Sequence, residues 1–270
     1  MPAHLPRTLI RLSGPDARGF LNNVLTQNLD RLDDAGVLYG ALLSPQGKLI
    51  ADMLIWADGD DVILEADPTR GADLLRRLSM YKLRANATLD DISATHDTLW
   101  ASDAFDTARP DPRLATLGFR AIAPATTRDD ATAAYTARRI KAGVPDLVHD
   151  AAAEEVFAGE ALLDELNGVD FQKGCFVGQE NVSRMKRRAT TRKKFCPVTF
   201  DGPPPPHGTL ILAGPAELGT IRSGIEGRAI ALLRLDRALT ATAPLTADGR
   251  AIQLDPPPWL ILPAAGETAP

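Results

Sequence analysis

The first eighty residues alternate between the hydrophobic periods of strands and helices. Residues 8–12 (TLIRL) have the pattern of a short strand, and apolar residues at helical spacing over 15–30 predict an amphipathic helix. Three more strands are predicted over 37–43, 49–56 and 62–65, after which Asp67-Pro68 opens a second helix. The order strand, helix, three-stranded meander and helix predicts an α+β fold with an antiparallel sheet.

The residue composition and the apolar pattern of the chain change near residue 196. Asp201-Gly202 and the four prolines of 203–206 predict a stiff, non-helical turn. Short apolar runs broken by Gly and Pro follow, a pattern that favours a small antiparallel barrel or sandwich. We therefore predict two domains, residues 1–195 and residues 196–270. The last residues, 263–270, are expected to fray.

Composition excludes several classes of protein. The net charge of −5 gives no overall attraction to nucleic acid or anionic lipid. Two cysteines are too few for a secreted disulfide scaffold. No apolar window reaches the ~18 residues of a membrane span, and the first fourteen residues lack a secretory pattern. These features predict a cytoplasmic protein with reduced thiols and no membrane partner.

Residues 169–195 carry the most chemical information. Cys175 lies between Gly174 and Phe176, two residues after Lys173, and a nearby ammonium favours the thiolate form of cysteine. Gln179-Glu180 stands where a helix is expected to begin, and the free N–H groups of a helix N-terminus favour an anion. Cys175 is thus a candidate nucleophile or soft-metal ligand. The alternative, a small buried hydrophobe, stays open, and it is the reading we prefer for Cys196.

The same region is strongly basic. Eight Lys and Arg residues between positions 173 and 194 are opposed only by Glu180, which gives this segment a charge of +7 while the rest of the chain carries −12. Such a run is usually a solvated face, but here it follows the cysteine, and a polyanion docking beside it is a reasonable hypothesis. A polyglutamylated small molecule, RNA and an acidic protein are the candidates. Because aromatic residues are not interleaved with the charges, direct nucleic-acid binding is not expected.

Residues 173–180 (KGCFVGQE) resemble the signature of the YgfZ family of folate-binding, iron–sulfur-related proteins. Residues 20–28, 44–48 (SPQGK) and 219–235 resemble further segments of that family. The resemblance implies the T-protein-like fold of glycine-cleavage aminomethyltransferases, with antiparallel sheets and a C-terminal β-barrel around a channel for tetrahydrofolate. It also implies a role in assembly or repair of iron–sulfur clusters in client enzymes, and through them an indirect link to tRNA modification.

The resemblance also implies roles for individual residues. Cys175 is expected to be the working thiol, with Lys173 and Asp52 as further catalytic candidates. The residues expected to bind tetrahydrofolate are Tyr135, Gly178, Gln179, Glu180 and Arg184. Two departures stand out: Arg7 occupies a position where some relatives have a tryptophan that contacts folate, and Asp52 lacks the paired aspartate of T-proteins.

No metal site is predicted, because the four histidines lie far apart without metal-ligand spacing. One working thiol cannot hold a cluster alone, since four ligands are usual, so any cluster contact should be transient or shared with an iron–sulfur partner protein.

Two other functions stay open at this point. A tetrahydrofolate-dependent aminomethyltransferase, a one-carbon transferase, would require Asp52. A folate sensor without chemistry would not need Cys175.

Overall fold

The computed structural model describes residues 1–188 and 191–263, and within them it has three antiparallel sheets with helices packed beside them. The helices are α1 (Ala17–Val24), α2 (Leu32–Ala35), α3 (Pro68–Lys82), α4 (Thr132–Ala142), α5 (Gln179–Arg188) and α6 (Leu235–Ala238). The strands are β1 (Ala3–Leu5), β2 (Thr8–Ser13), β3 (Val37–Leu43), β4 (Leu49–Asp58), β5 (Asp61–Ala66), β6 (Thr88–Asp91), β7 (His96–Ala101), β8 (Arg109–Pro110), β9 (Phe119–Pro124), β10 (Lys193–Thr199), β11 (Leu210–Ala213), β12 (Ala216–Ile225), β13 (Arg228–Arg234), β14 (Leu245–Ala247), β15 (Arg250–Ala251) and β16 (Gln253–Leu254). The predicted α+β class is confirmed.

The first sheet has the strand order β3-β4-β5-β2-β6 and contains the predicted meander. Strands β2 to β5 are buried on both faces, as alternate residues of one strand show, whereas the edge strand β6 is largely exposed. Ile10 of β2 joins the core under α1 and α3, whereas Leu9 joins the larger core that continues into the C-terminal sheet. The sheet therefore has α1 and α3 on one side and the rest of the molecule on the other.

The helix predicted over 15–30 is shorter in the structure. It ends at Val24, and Leu25 is extended, with φ −93° and ψ 157°. The backbone N–H of Thr26 then donates to the carbonyl of Ala41 in β3 (3.0 Å). Pairing with the sheet thus replaces the helical hydrogen bond, and the apolar period continues in a 3₁₀ turn at Leu29–Arg31.

The C-terminal sheet has the order β15-β14-β11-β12-β13-β10-β16. Its two edge strands, β15 and β16, are separated in sequence only by Ile252, so the chain itself nearly closes the sheet into the predicted β-barrel. The division at 195/196 stays a prediction, because β10 begins at Lys193 and one apolar core runs from the barrel to the first sheet.

No helix among the described residues combines the length and hydropathy needed to cross a bilayer.

The second sheet, with the order β1-β7-β9-β8, lies against α4 through a small core around Trp100 and Tyr135. The predicted fraying at 263–270 falls outside the described residues, apart from Pro263.

Candidate functional site

The side chain of Cys175 is exposed and its thiol is free. It stands in the thiol loop, residues 173–178, directly before α5, which begins at Gln179 as predicted. The other cysteine, Cys196, is fully buried in β10, and burial raises the pKa of its thiol to about 12. Of the two sulfurs, only that of Cys175 is open to a reactant or a partner.

Lys173 anchors the thiol loop to the end of α1. Its Nζ donates to the carbonyls of Asn22 (2.6 Å), Leu25 (2.7 Å) and Gln27 (2.8 Å), which occupies all three ammonium protons. These carbonyls lie at and just beyond the C-terminal end of the helix, where the helix dipole also favours a cation. Burial lowers the pKa of Lys173 to about 8. A direct effect of this ammonium on the thiol stays a prediction, whereas its structural anchoring role is clear.

Two buried polar side chains after α1 hold the segment that leads into the thiol loop. The hydroxyl of Thr26 donates to the carbonyl of Gly168 (2.6 Å), and the amide of Gln27 donates to the carbonyl of Asn167 (2.8 Å). Sequence reasoning missed both roles. The signal available was their place directly after an apolar helix, where polar side chains often bind backbone groups.

The hairpin at 44–48 holds the other end of the thiol loop. Gly178 has φ +84°, and a Cβ there would lie 2.6 Å from the carbonyl oxygen of Ser44. The amide of Asn181 donates to the carbonyl of Gln46 (2.6 Å). The 44–48 and 173–180 motifs, which both carry the family resemblance, therefore form one unit, and only glycine fits between them.

The basic run divides into paired and exposed groups. Lys186 pairs with Asp164 (3.0 Å), and Lys194 pairs with the buried Glu165. Three arginines of α5 remain exposed and line an open groove of about 840 Å³ beside the 44–48 hairpin. We call them the arginine face: Arg184, Arg187 and Arg188.

The predicted folate-binding residues and the catalytic candidate Asp52 lie in two places. Gln179, Glu180 and Arg184 line the open groove with the hairpin. Tyr135 and Asp52 line a separate central cavity. Among the described residues that form that cavity there is none from the thiol loop or from α5.

Asp52 faces the central cavity from β4. Its carboxylate accepts a hydrogen bond from the hydroxyl of Tyr39 (3.0 Å). Burial, and after it the charge of Asp146, raises the pKa of Asp52 above its usual value. This carboxyl therefore holds its proton to a higher pH than a solvated aspartate does, which is the direction of shift that a general acid requires.

Positively charged guanidinium groups cover the aromatic ring of Tyr135. The guanidinium of Arg120 lies over its ring at 4.7 Å from the centroid, and that of Arg7 at 5.6 Å. Its hydroxyl accepts a hydrogen bond from Arg113 (2.6 Å). Sequence reasoning missed Arg113 and Arg120, since a buried arginine has no sequence pattern that distinguishes it from a surface one.

The central cavity does not fit the folate that the resemblance implies. Its volume is about 40 Å³, which holds about three water molecules. Sites for small organic ligands measure roughly 300–1,000 Å³. The aromatic face predicted to stack on a pterin already carries two guanidinium groups.

Three residues beside the cavity have the composition of a metal site. Asp67, Asp146 and His149 each place one ligand atom within 4.8 Å of the others. Sequence spacing did not predict this grouping, because the fold brings Asp67 beside residues 146–149; the absence of a metal site stays a prediction. Asp146 already has Arg139 at 3.9 Å, which reduces its need for a further cation.

Known proteins are similar in sequence to this chain. Residues 192–261 match the CAF17 C-terminal beta-barrel domain. The chain is 33% identical to an iron-sulfur cluster assembly factor IBA57 homolog of Pyricularia oryzae, over 72% of this chain and 56% of that protein. It is 27% identical to iron-sulfur cluster assembly factor IBA57 of Homo sapiens, over 84% of this chain and 75% of that protein. Thus the chain spans little more than half the length of the fungal relatives.

A solved structure shares the fold. The glycine cleavage system aminomethyltransferase T of Bartonella henselae matches with a TM-score of 0.76 at 14% identity, covering 96% of this chain and 87% of that one. The predicted T-protein-like fold is confirmed. The matches carry the names CAF17 and IBA57, so the narrower assignment to the YgfZ family stays a prediction.

The predicted cytoplasmic location is contradicted by the relatives. The fungal, mouse and human proteins are all named mitochondrial. The prediction rested on the small number of cysteines and on the lack of a secretory or membrane-spanning pattern. These features do not distinguish one reducing compartment from another.

Proposed function

We propose that this chain is an iron–sulfur cluster assembly factor whose working group is the thiol of Cys175. The observation that carries the proposal is an exposed thiol on a loop anchored at both ends, by Lys173 and by Gly178. Thiolate is a ligand suited to iron–sulfur chemistry. The proteins named as IBA57 assembly factors, to which the chain is similar over most of its length, support the same role.

Cys175 acts together with a partner protein. A cluster normally has four ligands, and Cys196 is buried, so one exposed thiol leaves the remaining ligands to come from elsewhere. The partner is a cluster carrier or the client enzyme itself, and contact through Cys175 is transient. Cluster repair, and an indirect effect on tRNA modification through the clients, are narrower forms of this proposal.

Cluster transfer tests the role of the thiol. With Cys175→Ser, we expect normal folding and at least a tenfold lower rate of cluster delivery to an apo-client, measured by client activity and absorbance. Cys196→Ala serves as the control, because it also removes a thiol but leaves the loop unchanged. Delivery by Cys175→Ser at the wild-type rate would exclude the proposed role.

The arginine face is the proposed docking site for the partner. These guanidinium groups lie in an open groove next to the helix end that follows Cys175, and within residues 1–188 and 191–263 they form no ion pair with a carboxylate. An acidic surface on the partner would match them in charge. We expect simultaneous Arg→Gln changes at the arginine face to weaken association with the carrier and to reduce its salt dependence. Three exposed arginines elsewhere, Arg84, Arg109 and Arg128, provide the matched triple control.

Aminomethyl transfer, the second function left open by the sequence, has less support. It would require tetrahydrofolate beside Asp52, where the cavity measures about 40 Å³. Tetrahydrofolate binding is the narrower expectation of the family resemblance, and the shape of the cavity argues against it. Formation of methylene-tetrahydrofolate or formaldehyde from a methylglycine or a carrier-bound aminomethyl group would establish this function instead.

A further inference from the structure

We propose that the central cavity is filled by the chain's own arginines, Arg7 and Arg120, and that it takes no pteridine. The proposal goes beyond the role of Cys175 and does not depend on it. A T-protein-like fold supplies the channel, but in this chain guanidinium groups lie over Tyr135, where an aromatic ring of the ligand would stack.

Moving Arg120 away from Tyr135 would cost free energy, because its guanidinium is held in buried ion pairs. Its side chain is 2% exposed and pairs with two carboxylates that are themselves buried, Glu65 and Asp111 (3.2 Å). Withdrawing one member of a buried ion pair leaves an uncompensated buried charge, which is strongly unfavourable. A ligand that displaced Arg120 from Tyr135 would have to offset this cost from its own binding energy.

Arg7 covers the same ring from the first connection of the chain, between β1 and β2. Its guanidinium lies 3.7 Å from Glu65, so both arginines over Tyr135 share one buried carboxylate. The resemblance places a folate-contacting tryptophan at this position in some relatives. Here a cation paired within the protein stands in place of that ring.

The remaining sides of Tyr135 are also occupied. The indole of Trp100 meets the ring edge-on, with the centroids 5.8 Å apart. Arg113 donates to the hydroxyl and is itself held by Asp111 through two side-chain hydrogen bonds (2.9 and 2.7 Å). The space left over is the cavity of about 40 Å³, which suits water rather than a bicyclic ring.

Calorimetric titration with tetrahydrofolate under anaerobic conditions, and with its stable 5-formyl derivative, tests the proposal directly. The full chain should bind both more weakly than a Kd of about 1 mM, which corresponds to about −4 kcal/mol. An aminomethyltransferase of the same fold, titrated in parallel, is the positive control that shows that the two ligands are able to bind. Arg7→Ala opens the cavity while Arg120 and Trp56 still hold Glu65, and it should bind at least tenfold more tightly than the wild type.

Arg128→Ala, at an exposed arginine, is the control and should bind no better than the wild type. A micromolar Kd for the wild type would overturn the proposal. So would weak binding by the wild type that neither Arg7→Ala nor Arg7→Trp improves, because Arg7 would then not be an obstacle to the ligand. All these proteins keep Cys175, so their cluster delivery reports separately on the proposed function.

Discussion

Cys175 and Lys173 stand two positions apart in one loop, yet their side chains have opposite environments. The thiol is exposed, while the ammonium is buried among three carbonyls. The sequence alone suggested that the lysine activates the cysteine through its charge. In the structure the lysine determines where the loop lies, and the thiol is presented as a consequence.

Replacement of Lys173 measures this anchoring. Lys173→Met keeps the length of the side chain but leaves three carbonyls without their donor, so we expect a loss of about 2–3 kcal/mol in the free energy of unfolding. Urea denaturation gives the value. Lys173→Arg keeps the charge and should lose less. Equal stability of the Met variant and the wild type would show that water replaces the ammonium at no cost.

The carboxyl of Asp52 should make stability depend on pH. Its pKa in the folded state is raised, mainly by burial, above the value of about 3.9 in an unfolded chain. The folded protein therefore holds this proton where the unfolded chain has lost it, and stability falls as pH rises from about 4 through the raised pKa. Asp52→Asn keeps an acceptor for Tyr39 and should not show this fall. Parallel unfolding curves for both proteins from pH 4 upward would contradict the assignment.

At the scale of elements, the hairpin at 44–48 and the start of α5 meet through two glycines. Gly47 and Gly178 both have positive φ, and a Cβ on either would press on the opposite segment. The sequence predicted the turn at 44–47 and the helix after Gly178 separately. Their contact was not predictable, because the two segments are more than 130 residues apart and no local pattern links them.

Alanine at Gly178 tests this contact. A Cβ there would meet the Ser44 carbonyl at 2.6 Å with φ at +84°, so Gly178→Ala should lower stability by about 1–3 kcal/mol. It should also raise the alkylation rate of Cys175, since the loop would separate from the hairpin. Gly174→Ala is the matched control, because a Cβ at Gly174 has nothing within 4 Å. Equal effects of the two changes would show that the contact does not hold the loop.

At the scale of the whole molecule, a buried ion network connects the first two sheets. Glu65 comes from β5 of the first sheet and Arg120 from β9 of the second, and Asp111 joins them from the chain after β8. Hydrophobic periodicity predicted the meander and the barrel, because those depend on local pattern. The network escaped prediction, since charged residues in a sequence are expected at the surface.

Arg120→Met measures how much this ion network contributes to the free energy of unfolding. Glu65 and Asp111 keep other partners, Trp56 and Arg113, so we expect a loss near the lower end of the range for broken buried pairs, about 3 kcal/mol. Thermal or urea unfolding gives the number. Arg109→Met, on the exposed strand β8, should be close to neutral. A neutral Arg120→Met would mean that hydrophobic packing alone holds the two sheets together.

The anchoring of the thiol loop has a consequence for protein engineering. Its supports come from three stretches distant in sequence: the exit of α1, the 44–48 hairpin and residues 167–181. A peptide copied from residues 173–180 would carry the sulfur without the geometry that presents it. Moving this exposed thiol into another scaffold in the same geometry therefore requires all three stretches in their native arrangement.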